Sequence, residues 1–217
     1  MSLALTAEAS DIAADFLTGL NPNGSFRYGY TTTLGGAFTL FDTAINSGGV
    51  IGWTNPSSFP IDFENNTGSN VTVGSVFEPV GWVNMHPSSD GAYAIIRYVI
   101  PSSGAYSIGG TFQGDDTGGT TTDVHILLDS TTSLYSASVS GFLNSHSFSI
   151  NQNFAAGDTV DFVVGNGGNG YLNDSTGLQG TINSAGGSAV PEPGALWPAG
   201  AMLLGMVVYR RRLARKS

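Results

Sequence analysis

The chain has 217 residues, 31 of them glycine, with no cysteine, only 11% charged residues and a formal net charge of −9. Without cysteine there can be no disulfide, zinc–thiolate centre, thiol nucleophile or iron–sulfur cluster; with charge so scarce, the surface must be covered by Ser, Thr, Asn and Gly, which suits a many-turned β protein outside the cell. Residues 11–190 hold two Arg against fourteen Asp and Glu, a net of −12, so no nucleic-acid partner is expected, and calcium is the partner class such a surplus permits.

In chain order, residues 1–9 come first. Ala7-Glu8-Ala9 has the small-x-small form that precedes a signal-peptidase cut, and Leu3 to Ala7 reads as the end of an apolar stretch. No Lys or Arg precedes it, so residues 1–9 are expected to be the end of a longer signal peptide. The alternative is a short helical lead-in, with Ile12, Ala13, Phe16 and Leu17 at helical spacing and Asp11 placed to cap it.

Residues 10–184 read as one β ectodomain. Tyr106, Ile108 and Phe112 alternate with small or polar residues, as do Val124, Ile126 and Leu128, Phe148 and Ile150, Val160, Phe162 and Val164, and Leu178 and Ile182. Period two means one buried face and one wet face. Turn clusters separate the runs: Asn21 to Gly24, Pro101 to Gly104, Gly114 to Gly119, Ala155 to Asp158, and Gly165 to Gly170. With no helical pattern between the strands, the expected fold is all-β, an antiparallel sandwich of jelly-roll type. Helix is expected only at the two ends of the chain.

Residues 185–190 are small and uncharged, the composition of a flexible linker. Residues 191–217 form a separate module. Pro191-Glu192-Pro193 is followed by sixteen residues without charge, Gly194 to Tyr209, and then by Arg210, Arg211, Arg212, Arg215 and Lys216. The apolar stretch has no polar stripe, so it is expected to be a C-terminal transmembrane helix anchored by a cytoplasmic basic cluster. This order of features resembles the PEP-CTERM sorting signal of biofilm-forming bacteria. The resemblance implies recognition and cleavage near Pro191-Glu192-Pro193 by an exosortase in the inner membrane. It further implies an exported protein, held transiently by its helix and then passed to the outer envelope or an exopolysaccharide matrix.

The segments Asn84-Met85-His86-Pro87, Ile96-Arg97-Tyr98, Asp123-Val124-His125-Ile126, Ala156 to Phe162 and Asp174 to Leu178 resemble ectodomains of bacterial surface proteins with jelly-roll, carbohydrate-binding-module-like character. The resemblance implies a sandwich fold more than it implies a ligand.

Three constellations could carry chemistry. Asp115, Asp116 and Asp123 surround a Gly/Thr loop and are the candidate ligands of a structural calcium, the alternative being turn residues bonded to their own backbone. Among the aromatics Tyr28, Tyr30, Trp53, Trp82 and Tyr171, core packing is the default, and Trp82 lies in a strand-like run. Tyr171 is the best placed to meet a sugar face, with Asn169, Asn173 and Asp174 as its polar neighbours. His86, His125 and His146 form no catalytic motif, and Asp158 and Asp161 are spaced to point apart, so no catalytic residue is expected. The functional expectation is a non-enzymatic surface or matrix protein associating with exopolysaccharide. The alternatives are a structural adhesion module with protein partners and, behind it, a jelly-roll glycoside-active enzyme.

Overall fold

The computed structural model describes residues 8–185 apart from 48 and 58. Sixteen strands and no helix occur among these residues. In spatial order the first sheet runs β14 (Ser145–Phe154), β11 (Gly104–Gly114), β16 (Thr176–Ser184), β9 (Val83–His86), β6 (Ile61–Asn65), β5 (Val50–Thr54) and β4 (Thr43–Ser47), with β1 (Ala9–Asp11) also on β16. The second runs β13 (Thr132–Ser140), β12 (Thr121–Leu128), β15 (Thr159–Gly165), β10 (Tyr93–Val99), β2 (Phe26–Thr31) and β3 (Thr39–Leu40). A separate hairpin joins β7 (Val71–Val73) to β8 (Val76–Glu78). From β9 onward the chain crosses repeatedly between the sheets, with antiparallel pairing throughout. This is the sandwich that the period-two pattern predicts. The expected transmembrane helix and the sorting motif lie outside the described residues.

The inward set follows the alternation. Tyr106, Ile108, Phe112, Val124, Ile126, Phe148, Val160, Phe162 and Val164 are all buried, whereas Ile150 packs against this core only in part. Ile150 sits on β14, an edge strand, so it has a neighbouring strand on one side only. Phe112 centres an aromatic cluster with Tyr135 and Phe148, at ring separations of 6.4 and 5.4 Å.

At the N-terminal end the structure replaces the alternative of a helical lead-in with a strand and one capped turn. β1 pairs Ala9, Ser10 and Asp11 with Asn183, Ile182 and Thr181. Asp11 Oδ1 then accepts from the N–H groups of Ala13 and Ala14 at 3.0 and 2.9 Å, as a capping carboxylate does. Ile12, Ala13 and Phe16 enter the core, while Leu17 stays exposed.

On the outer face of the second sheet, Arg97 clamps Asp161 through Nε and Nη2 at 2.6 and 2.8 Å. The guanidinium lies 4.2 Å from the Phe38 ring centroid, and Phe38 also packs on Ile95, Leu127 and Val163.

Candidate functional site

The aromatic residues divide by exposure. Tyr28 is buried, and Trp53 is buried with its indole N–H donating to Leu17 O at 2.8 Å. Tyr30 is half-buried, stacked on Phe41, and accepts from Asn55 Nδ2 at 2.8 Å. Trp82 is half-buried against the first sheet. Tyr171 is exposed, and its ring meets that of His86 edge-on at 6.2 Å.

The polar neighbours expected around Tyr171 do not all face solvent. Asn169 and Asn173 are exposed, but Asn169 Nδ2 donates to Thr121 Oγ1 at 2.9 Å. Asp174 is fully buried, a correction to its expected place on a binding surface. Its Oδ1 accepts from Thr121 N and Thr121 Oγ1 at 3.2 and 3.1 Å, pinning this loop to the start of β12. Burial pushes the Asp174 carboxyl up to about 6.

Asp115, Asp116 and Asp123 turn to separate partners. Asp115 Oδ1 accepts from Gln113 Nε2 at 3.0 Å, and Asp116 takes Ser75 Oγ at 3.1 Å and Gly118 N at 2.8 Å. Asp123 lies on β12 rather than in a loop, and takes His125 Nε2 at 2.8 Å and Gly167 N at 2.7 Å. Burial opposes ionisation of Asp123, but His125 and the Gly167 N–H hold its carboxyl below the ordinary value. Asp115 and Asp116 are consecutive on an extended chain, so their side chains leave on opposite faces. Among the described residues, no group of three or more His, Cys, Asp or Glu side chains is arranged to hold a metal ion.

Of the remaining groups weighed for catalysis, His86, His125, Asp158 and Asp161 are engaged in structure. His86 Nδ1 lies 2.7 Å from Pro87 O, with burial lowering its pKa, and His125 Nδ1 lies 3.1 Å from Ser136 Oγ. Asp158 Oδ2 accepts from Ala155 N at 2.8 Å within its own turn, while Asp161 turns to Arg97.

Two concave features lie on the outer face of the first sheet. One is a trough of about 410 Å³ along β11, β14 and β16, lined by Ser107, Asn151, Gln152, Asn153, Asn183 and Ser184 among others. Its lining carries no charged side chain. Alternation along β14 aims Asn151 and Asn153 outward, while Phe148 and Phe154 point into the core. The residue pattern Asn151-Gln152-Asn153 was the available signal for this trough, but it is one of many Asn/Ser runs in the chain.

The second is a cleft of about 210 Å³ between the β7–β8 hairpin and strands β4, β5 and β6, lined by Ile45, Val50, Ile61, Phe63, Val73, Val76 and Glu78. Glu78 is buried here, and burial with the nearby charge of Asp115 pushes its carboxyl up to about 9. Burial also raises Asp115, to about 7, against hydrogen bonds from Gln113 and Asn84 that lower it. No sequence motif marks Glu78, because only the hairpin's packing makes it a buried acid.

No protein-family model matches the chain, and no curated protein matches it. Among solved structures, it is similar to a family 35 carbohydrate-binding module from Clostridium thermocellum, at 18% identity and a TM-score of 0.34, covering 54% of this chain and 87% of that one. A CBM51 from Clostridium perfringens GH95 in complex with methyl-galactose is 12% identical with a TM-score of 0.36, covering 67% and 95% of the two chains. Rabbit GITRL is matched as well, at 18% identity and a TM-score of 0.31, covering 42% and 74%. Likeness this distant is shared by a sugar-complexed module and by GITRL alike, and carries no ligand across to this chain.

Proposed function

We propose that this chain is an exported, non-enzymatic surface or matrix protein whose sandwich binds a neutral glycan along the trough on β11, β14 and β16. The observation that carries the reading is the outward side of that trough, where Ser107, Asn151, Asn153 and Asn183 share one face with no charge among the lining residues. Carboxamides and hydroxyls both donate and accept, the pairing that a polyhydroxylated, uncharged ligand requires. Tyr171 and Asn169, on a separate loop, are the competing candidate.

Export and processing rest on the sequence module at residues 191–217. Exosortase is the proposed processing partner, acting near Pro191-Glu192-Pro193 while the apolar stretch and Arg210 to Arg212 hold the chain in the inner membrane.

The test is binding of the full chain to an array of neutral glycans. Replacing Asn151 and Asn183 with alanine is expected to abolish binding, and Tyr171→Ala to leave it intact. Loss with Tyr171→Ala alone would move the site to the loop, and binding to no glycan would overturn the reading. For sorting, alanines at residues 191–193 are expected to retain the uncleaved protein in the inner membrane; unaltered sorting would reduce the motif to a stalk.

One observation favours the adhesion alternative. β13 and β14 are edge strands, and residues 130–157 contain no Asp, Glu, Lys or Arg. Uncharged edges are open to pairing with another strand. Concentration-dependent self-association without glycan binding would favour that reading.

A further inference from the structure

Under the β7–β8 hairpin, several buried oxygen-bearing side chains gather on the outer face of the first sheet with no base among them. Strand register sets Asn84 of β9 opposite Gly177 of β16, and Gly177 opposite Gln113 of β11. The Asp115 carboxyl lies over Gly177: a methyl group there would come within 2.3 Å of Asp115 Oδ2 and 3.0 Å of the Trp82 ring. Only glycine leaves that space. Asn84 Nδ2 donates to the same Oδ2 at 3.4 Å.

The neighbouring oxygens are unanswered. Asn84 Oδ1, Glu78 Oε1 and Ser175 Oγ have no hydrogen-bond partner, although Glu78, Asn84, Asp115 and Ser175 are each at most 2% exposed. Ser175 lies two residues before Gly177, on the same face, and its carbonyl accepts from Asp115 N at 2.9 Å. The two arginines among the described residues are engaged elsewhere, Arg27 with Gly24 O and Phe26 O, Arg97 with Asp161. Buried polar atoms are almost always satisfied, so three orphans beside one carboxyl point to a missing partner.

We propose that Glu78, Asn84 and Asp115, with Ser175 at the rim, bind calcium, and that the ion ties the β7–β8 hairpin to the sheet. The donors are all oxygen, which selects a hard cation. Two carboxylates balance a divalent charge, whereas a monovalent ion would leave a net buried negative charge. The hairpin already reaches this segment through its backbone, with Phe77 N donating to Asp115 O at 2.8 Å and Thr117 N to Ser75 O at 2.9 Å. The site differs from the expected trio in keeping Asp115 and in drawing its other donors from β8, β9 and the approach to β16. It is independent of the glycan trough.

Thermal melting of the full chain in calcium and in chelator tests the proposal. Calcium at a hundredfold excess over its Kd is expected to raise Tm by about 5 °C or more. Glu78→Gln and Asp115→Asn keep shape and neutrality, so each is expected to fold in chelator and to lose the calcium response. Terbium supplies a second readout, because Trp82 beside Asp115 would sensitise its emission. Calcium is expected to compete that emission away, and Trp82→Phe to cut it at least by half while keeping the calcium shift in Tm. An equal Tm in calcium and chelator would overturn the proposal. So would a calcium response that survives both carboxyl substitutions.

Discussion

The two sheets each bury an acid on their outer face, and they do it in opposite ways. On the second sheet, Asp161 is 1% exposed but clamped by Arg97 at two points, with Phe38 covering the guanidinium. On the first sheet, Glu78 and Asp115 are equally buried and have no arginine. The difference lies in composition: residues 11–190 contain two Arg for fourteen acids, so most buried carboxyls must be neutralised by something other than a base. A proton, amide donors or a cation are what remain.

Four predictions break or sharpen that contrast. The largest effect is expected at the paired acid. Arg97→Met leaves Asp161 buried without its counter-charge and should destabilise the fold by about 3–5 kcal/mol, read by urea unfolding; Arg97→Met with Asp161→Leu should recover most of the loss. If the double variant is no better than the single, the pair's worth lies in the Phe38 contact instead.

On the base-free side, Gly177→Ala should cost about 1–3 kcal/mol through overpacking. The added methyl would meet Asp115 Oδ2 at 2.3 Å, so the carboxyl has to move. Denaturant melts in chelator check this without involving any ion, and a melt like that of the parent chain would mean that Asp115 shifts freely.

Another acid lies between the sheets. Asp62 on β6 is fully buried, and neither carboxyl oxygen has a partner. Burial pushes it well above the ordinary aspartate value of 3.8. The native state then holds a proton that the unfolded chain releases. Its stabilising contribution is complete below the unfolded value and is lost as pH rises toward the folded one. Asp62→Asn removes this titration, so the variant should match the parent near pH 4 and gain on the order of 1 kcal/mol by pH 8. Unfolding free energies at pH 4, 6 and 8 give the answer; a constant difference across that range would mean Asp62 does not titrate differently on folding.

The smallest stability effect belongs to the trough. Asn151→Ala with Asn183→Ala should change stability by less than about 0.5 kcal/mol, as surface substitutions do, while glycan binding is lost. A large drop in Tm would instead make these amides part of the scaffold.

The sandwich was legible in the sequence because alternation is a local property. Val124, Ile126, Phe162 and Val164 announce their inward side without reference to any other strand, and each is buried. The site was legible only in pieces. Asp115 stood out as an acid beside a turn, but Asp116 leaves the extended chain on the opposite face and Asp123, on β12, turns to His125. Asp174 looked like a loop residue open to solvent, but Thr121, 53 positions away, draws it inside. Tyr171, with Asn169 and Asn173, kept the exposure that the glycine-rich loop implied.

By itself the sequence determined an all-β ectodomain, a chain without thiol chemistry, the inward positions and the scarcity of bases. Those follow from residue type and period-two order, which need no knowledge of partners. Tertiary structure alone decided which acids would find a base and which would not. Arg97 meets Asp161 because β10 pairs with β15 in a register that sets the two opposite each other. Glu78 comes under a hairpin to Asp115, and Asn84 reaches the same carboxyl across Gly177, through contacts between strands far apart in the chain. Charge balance inside a protein is settled across strands, and register, not composition, assigns each carboxyl its neighbours.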